Sequence, residues 1–193
     1  MSTNPSAFGA GAGALAEPSW LPADSGFLAF TADQVASNAN TAPSSGVLNL
    51  ARVNLRSAAL VTNVVLDVIT GGTSLTAGQN FAALYTAAGA LVAATADQSA
   101  NWAAAFLAPA ALAGGPYQLA AGFYWVGFLC NNTAGANPAF LRAGNANTPT
   151  SNFGLGAAAS RYAQTGAALT AAPASFTPNT LTQTVTQSWA ALS

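Results

Sequence analysis

The sequence has no histidine and no lysine. Its 193 residues include four basic and five acidic side chains, so 5% are charged, against roughly 25% in ordinary soluble domains. The full set is Glu17, Asp24, Asp33, Arg52, Arg56, Asp67, Asp97, Arg142 and Arg161.

These absences exclude much chemistry. Proton transfer near neutral pH draws on His, Lys or a tuned carboxylate. The first two are missing, and the acids are scattered singly. Asp67 reads as a solvated strand position and Asp97, in DQSANW, as the cap of a turn. Neither belongs to a carboxylate pair of the kind that cleaves glycosides. A serine nucleophile has no histidine to activate it. Zinc lacks ligands, since Cys130 is the single cysteine. Calcium has no loop signature. The GAGAG stretch at 9–13 lacks the lysine and the strand-to-helix setting of a phosphate loop. The expectation is a protein that is not an enzyme, with no catalytic residues, no metal and no cofactor. Cys130 follows an aromatic-rich strand and reads as a small buried hydrophobe.

The formal net charge is -1, which gives no electrostatic footprint for nucleic acid or anionic lipid. No charge lies between Asp97 and Arg142, but Pro109, Gly114-Gly115-Pro116, Asn131-Asn132 and Pro138 interrupt that interval. Its longest purely apolar run, 120–130, is too short for a membrane-spanning helix. The N-terminus lacks the basic region of a secretion signal. Asn131-Asn132-Thr133 matches a glycosylation acceptor, which we set aside because nothing marks secretion.

What is present is small, neutral and β-forming. Residues 1–45 read as an extended N-terminal arm. It is Gly/Ala/Ser-rich at first, then carries Pro18, Pro22 and Pro43 among isolated large apolar residues. A solvated linker would not hold Phe8, Trp20, Leu21, Phe27 and Phe30. These five, with Arg52 and Arg56, are the candidate interface residues, and the arm is expected to dock on neighbouring subunits. Residues 46–193 read as one β-sandwich domain. Strands are expected at 47–56, 60–69, 81–85, 90–95, 106–112 and 123–130. In the first, Leu48 and Leu50 are even-numbered while Val53 and Leu55 are odd, which suggests a bulge near Ala51. Pro109 marks an edge strand. The run FYWVGFLC is apolar on both faces and belongs at a sheet centre. Residues 97–105 read as a turn anchored by Trp102. Further strands are expected at 139–142, 161–163 and 182–191, separated by long loops that an assembly would cover.

Short strands with turn signals at about ten-residue spacing give an all-β antiparallel sandwich, with jelly-roll connectivity expected. Arg52 and Arg56 are expected to pair with Asp67 across strands or to bridge subunits. The exposed-aromatic requirement of sugar binding leaves a glycan possible, although most Trp and Tyr fall in apolar strands.

Residues 48–142 carry a resemblance. The motifs are Leu50-Ala51-Arg52-Val53, Leu75-Thr76-Ala77-Gly78-Gln79-Asn80-Phe81, Ala96-Asp97-Gln98 and the run 119–126. They resemble a β-sandwich module of virion proteins from actinobacterial tailed phages, of minor tail, tail-fibre or head-decoration type. It covers about half the chain. It implies a particle component located in the virion rather than an activity. The short length and the arm favour a capsid decoration or head-attached protein; the alternative is a minor tail or tail-fibre protein that binds a glycan or receptor. The implied partners are other virion proteins of capsid or tail, and further copies of the chain in a trimer or pentamer.

Overall fold

A computed structural model describes residues 20–33, 40–144 and 149–193. Among them there is no α-helix, only strands and short 3-10 turns. The strands are β1 (Ala29–Phe30), β2 (Asn40–Thr41), β3 (Leu48–Leu55), β4 (Ala59–Val61), β5 (Asn63–Thr70), β6 (Phe81–Thr86) and β7 (Leu91–Ala94). They continue as β8 (Phe106–Ala111), β9 (Tyr117–Leu119), β10 (Gly122–Leu129), β11 (Ala139–Leu141), β12 (Tyr162–Thr165), β13 (Thr182–Gln183) and β14 (Ala191–Leu192).

The pairing is nested. β6 pairs with β7, β5 with β8, β4 with β9, β3 with β10, β2 with β11 and β1 with β14, all antiparallel. Each pair encloses the previous one in sequence, so the chain is one long hairpin rolled into two six-stranded sheets, with β4–β9 as a small separate ribbon. That is jelly-roll connectivity. The hairpin-like pair β12–β13 is inserted between β11 and β14 and widens one sheet. One sheet has the order β13-β12-β3-β10-β6-β7. In the other, β8 takes one edge of β5, while β14 and β11 share the opposite edge in succession.

The main core lies between the sheets. Val53, Leu55, Val64, Val68, Leu84, Val126, Phe128 and Phe140 meet there, with Trp102 and Trp189 buried at its margins. β10 is central, between β3 and β6. The β6–β7 hairpin turns at Gly89, whose φ of 85° favours glycine. β8, with Pro109, pairs with β5 on one side only among the named strands.

Two expectations need correcting. β3 has no bulge: its register with β10 is unbroken from Leu48 to Leu55. The apparent shift arises because both faces are covered. Ala51, Val53 and Leu55 point into the main core, whereas Leu48 and Leu50 join a second cluster with Tyr85, Trp125, Leu129, Ala163 and Leu181 on the outer face. The cover is the chain's own segment 166–181, which seats Leu169 and Phe176 on that cluster. Backbone bonds hold it down, from Leu169 N to Gly46 O and from Phe176 N to Gly89 O, both 2.9 Å. A Cβ on Gly89 would collide with the Phe176 carbonyl. This long loop thus covers one face of the sheet itself, while most of its own residues remain exposed. Second, 182–191 is not one strand; only β13 and β14 form at its ends.

The stretch expected to be an arm also contains sandwich strands. β1 pairs with β14, Ala29 is fully buried, and Phe27 packs edge-on against Trp189 at 5.6 Å.

Candidate functional site

One face of β3 builds a groove. Beyond Leu50 its outward positions become polar: Arg52 is half-buried, Asn54 and Arg56 are exposed. The register sets Trp125 opposite Arg52 and Phe123 opposite Asn54. β1 contributes Phe30 and Thr31, and the segment 155–161 contributes Leu155, Ala159 and Arg161. Together they enclose a cleft of about 500 Å³. A second compartment of about 280 Å³ is lined by Trp20, Leu21, Pro22, Phe30, Asp33, Asn54 and Arg56. Phe30 and Asn54 line both, so the two adjoin along one face.

Arg52 is the best-defined group. Its guanidinium carbon stands 4.3 Å from the centroid of Phe123 and 5.5 Å from that of Trp125. Such cation–π contacts fix the plane of the fork. Nη1 donates to Ala158 O at 3.3 Å, and buried Nε has no hydrogen-bond partner. Burial lowers the pKa of the Arg52 guanidinium below the ordinary arginine value, yet arginine remains cationic at neutral pH. Arg161 is exposed and lies 6.0 Å over the Tyr162 ring. A buried amide locks its segment: Asn152 donates to Tyr162 O and Thr184 O and accepts from the backbone N of Arg161.

Three of the four arginines therefore line one groove. Among the described residues its larger compartment has two guanidiniums and no carboxylate, against apolar walls. Guanidinium forks suit carboxylates and other oxyanions. They offer no group that takes up a proton at neutral pH.

Of the seven sequence-predicted residues, Trp20, Leu21, Phe30, Arg52 and Arg56 meet here. Phe27 does not; it packs on the chain's own core. Phe8 lies outside the described residues. Asp67 does not pair with Arg52 or Arg56. It stands in the other sheet with Leu107 as cross-strand neighbour. Asp97 is engaged in a turn, accepting from Asn80 N at 3.0 Å and Ser99 Oγ at 2.9 Å. Sequence reasoning missed Asn54, Phe123, Leu155 and Arg161. Phe123 had a signal, since strand alternation puts it on the same face as Trp125. Arg161 had none, because only the β12–β3 pairing brings its segment alongside Arg52.

Elsewhere, Asn131 is buried and its side-chain amide donates to Gln79 O and Leu169 O, so it is no glycan acceptor in this fold. Cys130 is fully buried and its thiol pKa is raised by desolvation. Among the described residues no cluster of His, Cys, Asp or Glu gathers to hold a metal, and no helix is long and apolar enough to cross a membrane.

Fold and groove define a jelly-roll domain with an arginine-lined, aromatic-walled cleft at one end. No protein-family model matches the chain, and no curated protein matches it.

Proposed function

We propose that this chain is a non-enzymatic structural protein of a tailed-phage virion, a capsid decoration or head-attached protein that assembles in symmetric copies. The observation that carries this is the neutral, partly apolar surface. Trp20 is 58% exposed, Leu60 57%, Leu107 53% and Phe153 85%, on a chain with almost no charge to keep it apart from its neighbours. Such a surface suits burial against other subunits. The jelly roll is compatible with this role and does not select it, since shells and lectins share the architecture.

The test is the purified particle. Mass spectrometry and a cryo-microscopy map should find many symmetry-related copies on the head. Absence from intact particles would sink the proposal. A few copies confined to the tail would favour the second reading, a tail or fibre module that binds a glycan. The exposed Trp20 and Phe123 beside Asn54 support that reading, because sugars stack on aromatic faces next to amides. Binding on a glycan array, lost in Trp20→Ala, would establish it.

A further inference from the structure

We infer that the arginine groove receives the N-terminal segment of a neighbouring copy, around Leu15-Ala16-Glu17-Pro18, with Glu17 meeting Arg52 and Arg161. This rests on the reading of the chain as a self-assembling subunit.

Among the described residues the larger compartment has two cations and no acid. If a second copy fills it, that copy must bring an acid, and the chain has only five. Four of them are placed elsewhere. Asp24 accepts from Leu21 N at 2.8 Å. Asp33 already lines the smaller compartment and has a partner. Asp67 lies in the opposite sheet, and Asp97 is tied into its turn. Glu17 remains. It is the only charged side chain in residues 1–19, and Leu15 beside it matches the apolar walls.

The position of the segment fits too. It ends at Trp20, which lines the smaller compartment. Pro18 biases Glu17 toward extended backbone, and Leu21, before Pro22, is extended at φ -85° and ψ 156°. Glu17 lies three residues before Trp20, a reach of roughly 10 Å, so the neighbouring groove must abut this end of the sandwich. Arms passed from each copy to the next close into a ring, which is the heterologous geometry of a cyclic oligomer.

Sedimentation equilibrium on the full chain tests this. Glu17→Arg and the change Arg161→Glu at an exposed position should each weaken self-association at least tenfold. Mixing the two variants should restore much of it, since each arm then finds a complementary groove on the other variant, and a chain carrying both reversals should associate as the parent does. Glu17→Cys chains mixed with Arg161→Cys chains should form an intermolecular disulfide on oxidation; buried Cys130 stays out of the exchange. Three outcomes overturn the inference. Association unchanged by either reversal leaves the subunit reading standing and removes the groove. A disulfide found only within the doubly substituted chain returns the segment to its own groove. A parent chain that stays monomeric at every concentration removes self-association itself.

Discussion

The antiparallel pair β3–β10 runs between two ends built on opposite plans. At the end near Leu48 and Leu129, buried amides tie the loops. Asn80, fully buried, donates to Thr76 O at 2.8 Å and Ser99 Oγ at 2.9 Å and accepts from Asn131 N at 2.9 Å. Asn132 and Asn137 continue the web to Ser45 and Pro43. At the end near Leu55 and Gly122 stand Arg52 and Arg161, with few internal partners and open apolar neighbours. A chain poor in charge therefore spends neutral amides on its own loops and keeps three of its four arginines for a surface groove. Amides suit the first task because their donors and acceptors are all met without burying an ion.

The sharpest way to break this contrast is Asn80→Ala. It strips the partner from Asn131 N and removes one bond each from Thr76 O and Ser99 Oγ, which keep others. One orphaned buried amide plus two lost bonds should cost about 2–3 kcal/mol, a Tm decrease of roughly 4–12 °C. Urea melts would measure it. A loss below about 1 kcal/mol would mean that the amide web only decorates the loops.

Phe176→Ala should come next. Phe176 packs edge-on against Tyr85 at 5.1 Å and Trp125 at 6.2 Å. It is half-buried, so the cost should fall near 2 kcal/mol, at the low end for aromatic truncation. Tryptophan emission should shift to the red as Trp125 gains water. Unchanged stability would return the cover of this face to a partner protein. Arg52→Ala should cost less than about 1 kcal/mol, the scale of a partly exposed cation–π contact. Its effect belongs to association, not folding. A cost matching that of Asn80→Ala would place Arg52 among the structural residues and erase the contrast.

The two ends were unequally legible. Scarcity exposed the groove: with four arginines in the chain, Arg52 and Arg56 stood out, and Trp20 and Leu21 were conspicuous among small residues. Local pattern also gave the β6–β7 hairpin, the edge position of β8 and the Trp102 anchor. The amide web was not visible, because an Asn that stitches buried loops looks like an Asn in any loop. Its partners lie far apart, as with Asn80 and Asn131, 51 residues distant. β3 was misread for a related reason. Alternation reveals a face only when the other face is polar, and segment 166–181 makes both faces apolar.

The smallest effect is a matter of sign. Burial pushes the Asp97 carboxyl up, but hydrogen bonds from the Gly78, Asn80 and Ser99 backbone and the Ser99 hydroxyl outweigh it, so its pKa is lowered. A depressed carboxyl stabilises the fold above its unfolded pKa, near 3.9, and that contribution is lost as pH falls through the folded value. Asp67 has the reverse shift: desolvation raises it. Its proton favours the folded state, so its contribution fades as pH rises through the folded value. Asp97→Asn should therefore lower stability at pH 7 and flatten the acid limb of the stability curve. Asp67→Asn should raise stability slightly at pH 7, by an amount that solvent screening keeps small. Urea melts from pH 3 to pH 7 would separate the two. Equal signs would show that Asp97 is not held by its turn, and that the amide end of the sandwich relies on no charge at all.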